Sequence, residues 1–291
     1  MKMNKAILAV ASLSFYALTA TAQKSASVQT VVKAEEDFVK QTSRKGIKEA
    51  FLAVADAEGI VFKPEPIKIT DFYGRIDKQP GTLTWQPKFA RISANGDLAF
   101  TAGPYVYQNG KTDDDKVYGD YVSLWRLDAA TNSLKLLMNM GIQHPPSTRT
   151  QLTDIKDPNS TTLVAASKDP FNPKKIIMDN DRQFNQGLKI STLGAYKEFF
   201  TPEGHLYFPG FEPMSGIDQS LKFVANQAIT ISGETINAGR ATSNDLAYSQ
   251  GRARIRKGNI VSNYNYLRVW EMDSQHRWNI ILEIYSAIEN E

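Results

Sequence analysis

The hydrophobic pattern switches period partway through each half of this 291-residue chain, and both halves switch in the same order. Residues 34–42 set Ala34, Phe38 and Val39 among charged neighbours, the spacing of an amphipathic helix. Residues 47–57 carry Ile47, Ala50, Phe51, Val54 and Ala55, a second helix after a break at Gly46. Gly59 reads as its C-cap, followed by a short strand over residues 60–62. The period then falls to two. Leu98, Phe100 and Ala102 alternate with Ala99, Thr101 and Gly103, and the turn at residues 94–97 joins this strand to residues 87–92. Two further strands are predicted at residues 117–127 and 134–142, joined by a hairpin loop at residues 128–132. Helices followed by an antiparallel meander define an α+β fold, with helices packed on one face of a curved sheet.

The second half repeats this series. Asn95-Gly-Asp-Leu-Ala-Phe-Thr-Ala-Gly103 matches Asn244-Asp-Leu-Ala-Tyr-Ser-Gln-Gly251. Tyr121-Val-Ser-Leu-Trp125 matches Tyr266-Leu-Arg-Val-Trp270, and Leu136-Leu-Met-Asn-Met140 matches Ile280-Ile-Leu-Glu-Ile284. Upstream, Gly46-Ile-Lys-Glu-Ala-Phe51 resembles Gly194-Ala-Tyr-Lys-Glu-Phe199, and Glu58-Gly-Ile-Val-Phe62 resembles Glu203-Gly-His-Leu-Tyr207. The order is kept while the spacing drifts by a few residues, as loop insertions cause. Each copy is long enough to be a domain. The expected divisions are a first domain over 30–143, a linker over 144–174 that opens with Pro145-Pro146, and a second domain over 175–291.

Three features of the first copy resemble a known family: the Gly96-Asp-Leu-Ala strand ending at Gly103, the Gly119-Asp-Tyr-Val-Ser-Leu-Trp125 strand, and the last strand from Lys135 to Gly141. They are similar to SnoaL-like domains of the nuclear transport factor 2-like superfamily. The second copy keeps most of the pattern but has Tyr264 where the first has Gly119. The resemblance implies two tandem cones, each a curved antiparallel sheet wrapped by its N-terminal helices around a pocket. Proteins of that shape include isomerases, dehydratases, epoxide hydrolases, polyketide cyclases and non-catalytic members, so fold alone does not assign an activity.

Composition narrows the functional classes. Hydrophobic residues make up 42% of the chain, enough for two cores. The net charge is +3, and Lys2 and Lys5 fall in a segment expected to be removed, which brings the balance close to neutral. Such a surface has no field favouring nucleic acid. The absence of cysteine excludes disulfides, thiolate metal sites and a Cys nucleophile. Lys2 and Lys5, an apolar run over residues 6–22 and Ala20-Thr21-Ala22 have the form of a cleavable signal peptide, residues 1–22, implying a periplasmic or secreted protein. The run is shorter than the ~20 apolar residues of a spanning helix, and no later segment is expected to cross a membrane.

Candidate chemistry centres on the last strand of the second copy. Strand alternation puts Ile280, Leu282 and Ile284 on one face, and Ile281, Glu283 and Tyr285 on the other. Pairing is expected to set Glu283 across from Tyr266, with Arg268 near. Glu283 is then a candidate general base, with Tyr266 or His205 as electrophile or acid. A structural Glu–Arg or Glu–Tyr pair is the competing reading. The first copy has Asn139 and Ser123 at the matching places, so it is expected to lack the base. Tyr121, Trp125, Asn139, Arg268 and Trp270 are the candidate ligand-binding residues, with ordinary aromatic core as the alternative for the rings. His144, in the linker, and His276, in a hairpin loop, are expected to be exposed. The three histidines lack zinc-site spacing, and Asp113-Asp-Asp115 reads as a solvated hairpin tip. No cofactor motif is present: the sequence contains no P-loop, no G-x-G-x-x-G and no G-x-S-x-G.

The leading expectation is an exported protein that holds a small apolar or amphipathic ligand in a cone. An isomerase- or lyase-type enzyme using Glu283 is one alternative. The other is an interaction module in which the two domains pack as a pseudo-dimer.

Overall fold

A computed structural model describes residues 26–147, 150–159 and 173–288. The expected signal peptide lies outside these residues, as does part of the expected linker. The first domain runs α1 (Gln29–Lys45), α2 (Ile47–Val54), β1 (Ala55–Phe62), β2 (Pro66–Lys68), α3 (Ile69–Arg75), β3 (Thr82–Trp85), β4 (Phe89–Ile92), β5 (Leu98–Gln108), β6 (Lys116–Asp128) and β7 (Ser133–Gln143). A short β8 (Asp154–Ile155) returns along its edge beside β4. The second runs α4 (Pro173–Ile190), α5 (Thr192–Phe199), β9 (Phe200–Tyr207), β10 (Met214–Ser215), α6 (Ile217–Gln227), β11 (Ile229–Arg240), β12 (Leu246–Lys257), β13 (Ile260–Met272) and β14 (Trp278–Ile288). Two helix-covered α+β sheets follow one another, as the change of period predicts. No helix among the described residues is long and apolar enough to cross a membrane.

The meanders are antiparallel throughout, but each sheet is mixed. β1 joins parallel to β7, and β9 joins parallel to β14. Residues 55–57, expected at the end of a helix, are therefore strand. Gly59 does not cap a helix: a Cβ there would lie 2.6 Å from the Leu136 carbonyl, so close strand pairing accounts for the glycine. The second helix instead ends at Ala55 in extended backbone, while the expected break at Gly46 ends α1, its φ of 92° suiting a residue without a Cβ and its N–H closing on Thr42 O. α2 and α5 each have eight residues and run straight into an eight-residue strand. Phe51 therefore corresponds to Tyr196, a shift from the match that the glycines suggest.

Alternation sorts the strands into two faces. Tyr121, Ser123 and Trp125 face the first cone, while Val122 and Leu124 join Met138, Met140 and Ile142 on the outer face. That outer face packs on Leu267, Val269, Leu282 and Ile284 of the second domain, in one buried apolar cluster between the sheets. Burial is worth ~1.5–3 kcal/mol for each such side chain, so this contact is the main tie between the domains. A bulge at Leu137 and another at Ile281 interrupt the alternation. Ile280 consequently joins the second cone's core, whereas Leu282 and Ile284 face the other domain. The expected single face for these three residues is split there.

Candidate functional site

The two cones are built on one plan and filled differently. On α1, buried residues fall at Val31, Glu35, Phe38 and Thr42. On α4 they fall at Ile177, Asp181, Phe184 and Leu188, the same spacing. Each inward stripe thus carries one carboxylate, Glu35 or Asp181, and both are completely buried.

Glu35 is held by neutral donors alone. Trp85 Nε1 and Thr101 Oγ1 each donate at 2.5 Å, Trp125 Nε1 at 2.8 Å and Ser123 Oγ at 3.4 Å. Burial pushes its carboxyl above the usual range, with the donors opposing that shift. The first domain has Asn139 at the last-strand place of Glu283, as expected, but its cone is not without a buried acid. That acid is Glu35, supplied by a helix and not by the last strand. Its sequence signal was an acid inside an apolar helical stripe, three residues before a phenylalanine, in both copies.

Above this floor opens a cavity of about 620 Å³. Its walls include Phe51, Tyr73, Trp85, Tyr105 and Tyr107. Two of the sequence candidates, Tyr121 and Asn139, line it, and Trp125 lies beneath it as a donor to Glu35. Tyr121 is buried beside Thr101, whose hydroxyl donates to Glu35 at 2.5 Å. Asn139 Nδ2 donates to Ser123 Oγ at 3.1 Å. The space is concave, largely aromatic and edged by a few polar groups, the usual character of a small-molecule site.

The second cone holds a buried ion cluster. Arg268 is fully buried, with Nε 2.6 Å from Glu283 Oε1 and one terminal nitrogen 2.7 Å from Asp181 Oδ1. The strand register sets Glu283 directly across from Arg268, and Tyr266 across from Tyr285, a two-residue correction to the expected pairing. Tyr285 Oη donates to Glu283 Oε1 at 2.7 Å, and Tyr196 Oη donates to Oε2. Tyr266 Oη donates to Asp181 at 2.6 Å and stacks its ring 3.8 Å from the guanidinium carbon. Ser249 Oγ also donates to Asp181, and the Trp270 indole donates to Ser249. Burial disfavours the Arg268 charge, but Asp181 and Glu283 outweigh it and hold the group ionised. Glu283, Tyr266, Arg268 and Trp270 are thus brought together, with no exposed surface on Glu283, Tyr266 or Arg268.

His205 stands apart from them. Its ring stacks on Phe89 of the first domain at 4.2 Å, and burial lowers its pKa to about 4. His144 is not exposed, as the linker position suggested, but buried. Its Nε2 lies 2.7 Å from Asp120 Oδ2 and its Nδ1 2.6 Å from Pro145 O. Both partners accept, so the arrangement suits an imidazolium, and the Asp120 hydrogen bond raises its pKa. His276 is exposed in its hairpin loop. Asp113–Asp115 forms an exposed 3₁₀ turn in which Asp113 pairs with Lys116 and Asp115 caps Thr112.

No protein-family profile matches the chain, and no curated protein matches it closely. Solved structures are similar to parts of it. A ketosteroid isomerase-like protein from Erwinia carotovora atroseptica has 16% identity and a TM-score of 0.37, over 41% of this chain and 100% of that one. A nuclear transport factor 2-like protein from Cytophaga hutchinsonii has 14% identity and a TM-score of 0.35, over 40% and 100%. An LEH-like epoxide hydrolase from M. tuberculosis has 11% identity and a TM-score of 0.32, over 40% and 81%.

Proposed function

We propose that this chain is an exported protein of two tandem nuclear transport factor 2-like domains, and that its first cone binds a small apolar or amphipathic molecule. The observation that carries this is the contrast between the cones. The first keeps a cavity of about 620 Å³ walled by aromatic rings, while the second holds its own Arg268–Asp181–Glu283 cluster. Apolar ligands gain most from such a space because aromatic walls replace water at low conformational cost.

Gly141 supplies the test. It lines the cavity, and a Cβ there would meet only ordinary contacts, the nearest atom lying 3.6 Å away on Tyr105. Gly141→Leu should therefore fill the space without disturbing the strand. Native mass spectrometry of the purified protein should show a carried-over small molecule that Gly141→Leu loses. Equal carry-over in both proteins would sink the reading.

A pseudo-dimer role for the second domain is favoured by one specific feature. Asp97 accepts the N–H of Thr242 at 2.8 Å, and Asp245 accepts that of Ala94 at 2.7 Å, a reciprocal clasp across the domain boundary. Export rests on the basic, apolar and Ala-x-Ala order of residues 1–22. N-terminal sequencing of the protein from fractionated cells should begin at Gln23; retention of Met1 would refute cleavage.

A further inference from the structure

The walls of the first-domain cavity carry one charged side chain among the described residues that line it, Lys63. No carboxylate joins it there. Glu65, the nearest acid in sequence, is engaged by Arg252 of the second domain at 2.9 Å. The ammonium lies 6.0 Å from the Phe72 ring, another wall of the same cavity, so an aromatic face is its one described side-chain partner.

The segment that presents Lys63 is pinned. Lys63 N donates to Glu65 O at 3.0 Å, and Asn265 of the second domain donates to Pro64 O at 2.9 Å. The second domain also supplies Ser286 to the cavity wall. The cation is thus held over the cavity by the other domain and does not ride on a free loop. The same cavity is also lined by Tyr121 and by the Asn139 amide.

An aromatic cavity with one uncompensated cation is complementary to a particular shape of molecule: an apolar body ending in an anion. We propose that the first cone selects amphiphilic acids, with rings or alkyl chain against the aromatic walls and a carboxylate or sulfonate on Lys63 Nζ. This rests on the ligand-binding reading above and adds the class of ligand.

Two fluorescent probes with the same ring system separate the two ideas. One is 8-anilinonaphthalene-1-sulfonate, the other its neutral counterpart N-phenyl-1-naphthylamine. Titrated into the full-length protein, the sulfonate should bind more tightly than the neutral amine. Lys63→Met should weaken the sulfonate about fivefold, the scale of a partly exposed ion pair, and leave the neutral probe unchanged. Lys63→Arg should keep the preference, and added salt should erode it. Gly141→Leu should abolish binding of both. Equal affinity of the two probes, or equal weakening by Lys63→Met, overturns the acid selectivity while leaving a ligand-binding cone. Binding that Gly141→Leu does not reduce, or no binding of either probe, overturns the cone reading itself.

Discussion

Glu35 and Asp181 occupy the same place in their two domains, each facing a serine or threonine of the third-from-last or penultimate strand, yet only Asp181 meets a cation. Asp181 shares Arg268 with Glu283, whereas Glu35 receives two indole N–H groups and two hydroxyls. The difference traces to one pair of positions in the sheet. Ser123 lies across from Asn139 in the first domain, and Arg268 across from Glu283 in the second.

Removing the Glu35 carboxylate should strip Trp85 and Trp125 of their acceptor. Glu35→Ala is expected to cost about 2–4 kcal/mol in urea unfolding, since buried donors are left unpaired. Glu35→Gln keeps one acceptor oxygen and should cost less. Burial raises the folded-state pKa, so the glutamate's stabilising contribution is full below the unfolded value and lost as pH rises through the folded one. The gap between Glu35→Gln and wild type should narrow from acid to neutral pH. A constant gap would rule out a raised pKa.

Arg268 has the opposite character. Arg268→Met leaves Asp181 and Glu283 facing each other in a dry interior and should cost about 3–5 kcal/mol. Restoring neutrality with Asp181→Asn and Glu283→Gln in the same chain should recover much of that loss. No recovery in the triple variant would show that the arginine acts through packing and not charge.

The two buried histidines should give opposite pH slopes. The folded pKa of His144 is raised by Asp120, so its stabilisation is full below about pH 6.5, its unfolded value, and is lost as pH rises through the folded pKa. The advantage of wild type over His144→Phe should shrink between pH 6 and 9. His205 is held neutral by burial, with its pKa at about 4, so protonating it opposes folding. His205→Phe should gain on wild type as pH falls from about 6.5 towards 4, by up to about 3 kcal/mol. Thermal melts of each variant across this range check both slopes.

The clasp made by Asp97 and Asp245 should matter modestly. Each replacement by Ala removes one charge-assisted bond across the domain boundary and one bond to a turn serine, Ser93 or Ser243. A loss of about 1–2 kcal/mol is expected for either. Even the double variant should unfold in one transition, because the apolar cluster between the sheets remains. Two separate calorimetric transitions would show that the aspartates couple the domains.

The change from a helical to a strand period, the repeat of that change, and the alternation of Leu98, Phe100 and Ala102 with Ala99 and Thr101 were all legible in the sequence, because each depends on neighbours a few positions apart. Even Glu35 left a trace, as an acid in an apolar helical stripe. Which cone holds the ion cluster was not legible. That depends on Arg268 meeting Asp181, 87 residues away along the chain, and on bulges at Leu137 and Ile281 that reset which face each later side chain takes. A one-residue bulge leaves no mark in a hydrophobic pattern, and a buried ion pair forms only when distant strands and helices bring its members within about 3 Å. Local periodicity therefore fixed the two scaffolds. Tertiary packing decided that the second holds a buried ion cluster and that the first holds a cavity with one lysine on its wall.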